Sequence, residues 1–198
     1  MCGICAEFAH GAAAPPVSRR ALGAACESMA ARGPDGAGLW VSDDNRVGLG
    51  HRRLAILDLT DAGAQPMHDA DGRCAIVFNG EIYNFRALRA ELEQAGVAFR
   101  TGTDTEVLLT LYRREGPAMV DRLRGMYAFA LWDAERRGLL LARDPFGIKP
   151  LYVADDGKSL RVASQVGALL AGARAGWAID PGADAAGHAG FHLWGHVP

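Results

Sequence analysis

Most apolar residues in this chain sit in short runs separated by charged or glycine-containing turns, and three longer segments repeat their apolar positions at helical spacing. The first run, Cys2-Gly-Ile-Cys-Ala-Glu-Phe8, predicts a buried strand with Cys2 at its head. Ser18 is placed to cap a helix in which Leu22, Ala25, Cys26 and Met29 share one face, with Gly33 ending it. Gly38–Val41 and Val47–His51 predict a hairpin turning at Asp43, Asp44 and Asn45, which are best taken as solvated. Cys74–Phe78 predicts a strand that runs into a polar loop at Asn79, Gly80 and Glu81. Asn84 can cap a second helix carrying Leu88, Leu92 and Ala95, stopped by Gly96. Thr103-Asp-Thr-Glu106 has the spacing of a capping box and opens a third helix with Leu108, Leu109, Leu111 and Tyr112. The pattern then returns to strands at Tyr127–Trp132, Leu139–Ala142, Leu151–Val153 and Leu160–Ala163. Strands outnumber helices and neighbours are often hairpin-connected. An α+β domain with antiparallel sheets covered by helices therefore fits better than a doubly wound parallel sheet.

Composition narrows the function classes. At 198 residues and 49% hydrophobic, the chain can bury one substantial core, so one main domain is expected. A net charge of −2 leaves no basic surplus for a phosphate backbone or an anionic membrane surface, which argues against nucleic acid and lipid as partners. No apolar run is long enough to cross a bilayer and Glu7 interrupts the apolar opening, so the reading is cytoplasmic. Four cysteines are too few and too irregularly spaced for a disulfide scaffold. Cys2 and Cys5 have the C-x-x-C spacing of a redox pair or half a metal site, but the second C-x-x-C is missing, and an ordinary buried thiol is the better reading of Cys5. His188, His192 and His196 could line one helical face, yet Gly187, Gly190 and Gly195 interrupt it, so no metal is expected. Trp132, Trp177 and Trp194 are read as packing residues.

Cys2 has one chemical advantage over any internal cysteine. Once Met1 is removed, its thiol and a free α-amine belong to the same residue. The amine's pKa, about 7.7–8.0, lies close to that of a thiol, so it can take the thiol proton without a histidine. Met1-Cys-Gly-Ile4, Arg32-Gly-Pro-Asp35, Gly50-His-Arg-Arg-Leu54, Asn79-Gly-Glu-Ile-Tyr-Asn84, Gly102-Thr-Asp-Thr-Glu106, Gly125-Met-Tyr-Ala-Phe-Ala130 and Arg143-Asp-Pro-Phe-Gly-Ile-Lys-Pro150 follow one another here. In these words and their order the chain resembles the class II glutamine amidotransferases, and within them the asparagine-synthetase-like group.

That resemblance covers residues 1 to about 170 and implies a fold: the four-layer α/β/β/α sandwich of N-terminal-nucleophile hydrolases. It implies Cys2 as nucleophile and Asn79 with Gly80 as the oxyanion hole. It implies a glutamine cradle of Arg53, Leu54, Ala55, Ile56, Leu57, Asn79, Gly80, Glu81 and Asp104, with Arg53 on the α-carboxylate and Asp104 on the α-ammonium. The residues alone leave blander readings open: a turn at Asn79-Gly80, a solvated Arg52 beside Arg53, and a helix-dipole role for Asp104. No cofactor is implied for glutamine hydrolysis. ATP and Mg²⁺ belong to a synthetase domain expected in cis, and a homodimer is possible within the family. That domain's Ser-Gly-Gly-x-Asp-Ser signature is absent from these residues, so the expected division is a glutaminase domain over 1–175, then 176–198 as linker and the start of the next domain. A free-standing or non-catalytic glutamine-binding fragment, or an asparagine-synthetase-like amidotransferase for another carboxylate, is the alternative.

Overall fold

The computed structural model describes residues 1–56 and 60–178. Nine strands form two antiparallel sheets in the described residues. One sheet holds β1 (Gly3–Ala9), β2 (Gly36–Val41), β3 (Val47–Arg53), β8 (Tyr152–Asp155) and β9 (Ser159–Ala163) in the order β2-β3-β1-β9-β8. The other holds β4 (Met67–His68), β5 (Cys74–Ile82), β6 (Gly125–Asp133) and β7 (Gly138–Arg143) in chain order. Helices α1 (Arg19–Glu27) and α4 (Val166–Arg174) cover the first sheet; α2 (Phe85–Gln94) and α3 (Asp104–Glu115) cover the second.

Period-two alternation divides the core into three slabs. Ile4, Ala6, Val47, Leu49, Ala75, Val77, Ala128 and Ala130 meet between the sheets. The other faces of β5 and β6, with Ile76, Phe78, Phe129 and Leu131, pack on Leu88, Leu92, Leu108 and Leu111 of the helices. On the far side Cys5 and Ala163 pack on Leu22, Ala25, Cys26 and Leu169. Every central strand is thus buried on both faces, which is why the apolar runs are nearly continuous. The result is the α/β/β/α sandwich the resemblance implied, built wholly from antiparallel pairs.

Several local expectations change. Ser18 does cap α1, accepting from Ala21 N at 3.2 Å, but the helix stops at Glu27 and a short 3₁₀ turn, Ala30–Arg32, precedes Gly33. Asn79, Gly80 and Glu81 are not a loop: β5 runs through to Ile82, with these residues opposite Ala128, Tyr127 and Met126. A polar patch inside a paired strand reads as a loop because only the partner strand shows otherwise. Asn84 stands at the N-cap of α2 without capping it; its Nδ2 donates to Arg122 O at 2.9 Å and its Oδ1 accepts from Arg124 N at 3.0 Å. The capping box is half formed. Thr103 Oγ1 accepts from Glu106 N, while the Glu106 carboxylate turns to the Arg100 and Thr101 N–H groups.

Helix α4 was not legible, because Ala and Gly supply much of its contact face. Trp177, in the stretch read as linker, is buried against this helix: a Cβ on Gly172 would meet the ring at 2.1 Å. Trp177 Nε1 donates to Glu7 Oε2 at 2.8 Å, and Glu7 also faces Arg161 Nε at 3.4 Å, so a buried ion pair secures the chain as it leaves α4. His188, His192, His196 and Trp194 lie outside the described residues.

Candidate functional site

A cavity of about 110 Å³ opens where the N-terminal ends of β1 and the C-terminal ends of β3 and β5 come together. Cys2 stands at its edge, one residue before β1, and is partly exposed. The Leu54 N–H donates to Cys2 Sγ at 3.3 Å, which fixes the sulfur at the cavity mouth. Arg32 Nε holds the Cys2 carbonyl at 3.1 Å, and Asp35 Oδ2 accepts the Ala55 N–H at 2.9 Å. The Arg32–Asp35 segment therefore anchors backbone on both sides of the sulfur. Gly3 lets this turn come close, since a Cβ there would lie 2.9 Å from Met29 Cβ.

Strand β5 presents polar donors to the same space. Ala75, Val77 and Asn79 alternate toward the first sheet, which carries the Asn79 amide into the cavity wall. Asn79 is 1% exposed and among the described residues its Nδ2 has no hydrogen-bond partner, an arrangement that costs about 1–3 kcal/mol unless a guest supplies an acceptor. The backbone adds a second donor. Tyr83 N bonds Arg124 O, and Tyr127 exchanges bonds with Asp144, so the odd-numbered residues of β5 bond to β6 and the even-numbered N–H groups point to the opposite edge. On that edge Gln65 Oε1 accepts Phe78 N at 2.6 Å and Asp104 Oδ2 accepts Ile82 N at 3.0 Å. Between them the Gly80 N–H faces the cavity. Gly80 has no room for a side chain, because a Cβ would meet Met126 O at 2.3 Å.

Charges of both signs line the rest. Arg53, at the end of β3, donates to Thr60 O at 2.8 Å, with Lys149 also on the wall. Asp104, in the first turn of α3, is buried, and burial pushes its carboxyl up to about 6, with the Glu81 charge adding to the effect. Leu54 and Ile56 line the cavity; Ala55 is tied outside it by Asp35, and Leu57 lies outside the described residues. Arg52 is not solvated: it donates to Gly33 O at 3.2 Å and pairs with Glu27.

Neither Gln65 nor His51 is marked as a site residue by its sequence context. Gln65 joins the two halves of the site, since its Nε2 also donates to Thr105 Oγ1 at 3.3 Å. His51 is 1% exposed on the cavity wall, and burial lowers its pKa to about 4, the Phe78 carbonyl opposing and Arg53 reinforcing the shift. Cys5 points to the opposite side of β1, under α1, so Cys2 and Cys5 do not face each other; no metal-holding cluster occurs among the described residues.

Four layers with a cysteine at the head of the first strand place the molecule in the N-terminal-nucleophile fold class. Its backbone superposes on the glutamine phosphoribosylpyrophosphate amidotransferase of B. subtilis, solved with ADP and GMP. The TM-score is 0.73 at 24% identity, over 86% of this chain and 43% of that one. Residues 1–186 match the glutamine amidotransferase domain family, and the chain belongs to that family. Asparagine synthetase B [glutamine-hydrolyzing] of Escherichia coli K12 is 43% identical over 86% of this chain and 30% of its own length. Asparagine synthetase [glutamine-hydrolyzing] 1 of Bacillus subtilis is 46% identical over 70% of this chain and 22% of its own. "Amidase chry2" of Gibberella zeae is 40% identical over 86% of this chain and 26% of its own. The chain thus spans under a third of these relatives' length.

Proposed function

We propose that this domain hydrolyses glutamine to glutamate and ammonia, with Cys2 as nucleophile after loss of Met1. The observation that carries the reading is the shared cavity: a thiol, two donors at Asn79 Nδ2 and the Gly80 N–H, and opposite charges at Arg53 and Asp104. Those charges match the α-carboxylate and α-ammonium of a free amino acid, with Glu81 supporting the ammonium side. The Cys2 α-amine takes the thiol proton, sulfur attacks the amide carbon, and the oxyanion accepts from Asn79 Nδ2 and Gly80 N–H. The carbon–nitrogen bond breaks as the α-ammonium returns the proton to the departing ammonia. Water then hydrolyses the thioester, releasing glutamate and the free thiol.

Ammonia is passed in the intact protein to a synthetase domain in cis, where ATP and Mg²⁺ activate aspartate for conversion to asparagine. Support for that acceptor is the wording of the relatives' names and the short span of their length that this chain covers. A different carboxylate is the second reading, favoured by the similarly matched amidase. Free thiols throughout the described residues suit a cytoplasmic setting. Replacement Cys2→Ala should abolish glutamate release while leaving glutamine binding intact; undiminished release from that variant would end the proposal.

A further inference from the structure

The cavity holds a second buried polar group without a partner. His51 follows Val47 and Leu49 on the inter-sheet face of β3, two positions before Arg53, and lines the cavity with Asn79. Among the described residues neither ring nitrogen has a partner within hydrogen-bonding geometry, and the Phe78 carbonyl is the backbone group that acts on the ring. A buried imidazole beside Arg53 stays neutral, and a neutral imidazole carries one N–H and one bare nitrogen. With the N–H turned toward the Phe78 carbonyl, the bare nitrogen is an acceptor with no donor to fill it. One wall of the cavity thus offers an unfilled donor, Asn79 Nδ2, and an unfilled acceptor, His51.

A primary carboxamide is the small group that answers both, since it carries an acceptor oxygen and a donor nitrogen on one carbon. A carboxylate answers only the donor and sets its second oxygen against a lone pair. We propose that Asn79 and His51 together read the side-chain amide, so that His51 selects glutamine over glutamate and helps expel the product. This rests on the glutaminase reading, and adds to it a specificity residue that the Cys2, Arg53 and Asp104 roles do not require.

The test uses Cys2→Ala protein, which cannot turn over, and isothermal titration with glutamine and with glutamate. His51→Leu and His51→Met both remove the acceptor, so either folded variant serves; His51→Asn keeps one. We expect the glutamine-to-glutamate affinity ratio to fall at least about tenfold in the Leu and Met variants, and to stay within about threefold of the parent in His51→Asn. An unchanged ratio in a folded Leu or Met variant overturns the inference, as does an equal loss in His51→Asn. A Cys2→Ala parent that binds no glutamine removes the glutaminase reading itself, a result distinct from a parent that binds but whose His51 variants keep the ratio.

Discussion

Asp104 should trade stability for binding. Its carboxyl is buried beside Glu81, and burial with the Glu81 charge raises its pKa to about 6 from 3.8. The folded state therefore holds this proton more tightly than the unfolded chain does. The benefit of protonation is present below the unfolded value and is lost as pH rises through the folded one. At about 1.4 kcal/mol for each tenfold, the ionised group costs the fold at most about 3 kcal/mol near neutral pH. Asp104→Asn keeps an oxygen for the Ile82 N–H, held at 3.0 Å, and removes the charge. Without ligand at pH 7.5, the variant should melt roughly 6–12 °C above the parent for a domain of this size. The gap should close by about pH 4, where the parent's carboxyl is protonated as well. Glutamine should raise the melting temperature of the parent and not of the variant. Equal melting temperatures at pH 7.5, or a gap that persists unchanged at pH 4, would refute the reasoning.

Other outcomes follow from the same geometry. Asn79→Ala removes a donor that meets the amide oxygen and then the oxyanion, so kcat should fall about 10²–10³-fold and KM should rise as well, by steady-state glutamate release. Arg53→Lys keeps the charge but loses the planar fork, and should raise KM at least about tenfold while kcat changes less. Trp177→Ala strips a buried ring from α4 and leaves Glu7 without its indole donor, which should cost about 3–5 kcal/mol in denaturant unfolding.

What the sequence carried and what it hid divide along physical lines. Strands and helices with strong apolar periodicity were legible, because burial on one or both faces writes the period directly into the residues. Helix α4 was hidden because Leu169 shares its buried face with Ala168 and Gly172, which are too small to mark a helical period. The strand character of Asn79–Glu81 was hidden because polarity there serves the cavity, and only pairing to Ala128–Met126 shows the extended backbone. Cys2 is marked by its place at the chain start and Arg53 and Asp104 by family resemblance, and folding brings all three to one cavity across more than a hundred positions of chain. The support around them was less legible. The bonds from Arg32 and Asp35 to backbone flanking the sulfur, and from Gln65 across to β5, depend on distances no spacing pattern encodes.

The central claim is that the base for Cys2 is its own α-amine. It is tested most directly by comparing glutamate release from chains that begin at Cys2 with chains that retain Met1, the N-terminus of each verified by intact mass. The account predicts turnover in the first and none above background in the second, with both folded to the same melting temperature. Full turnover by chains that keep Met1 would contradict it.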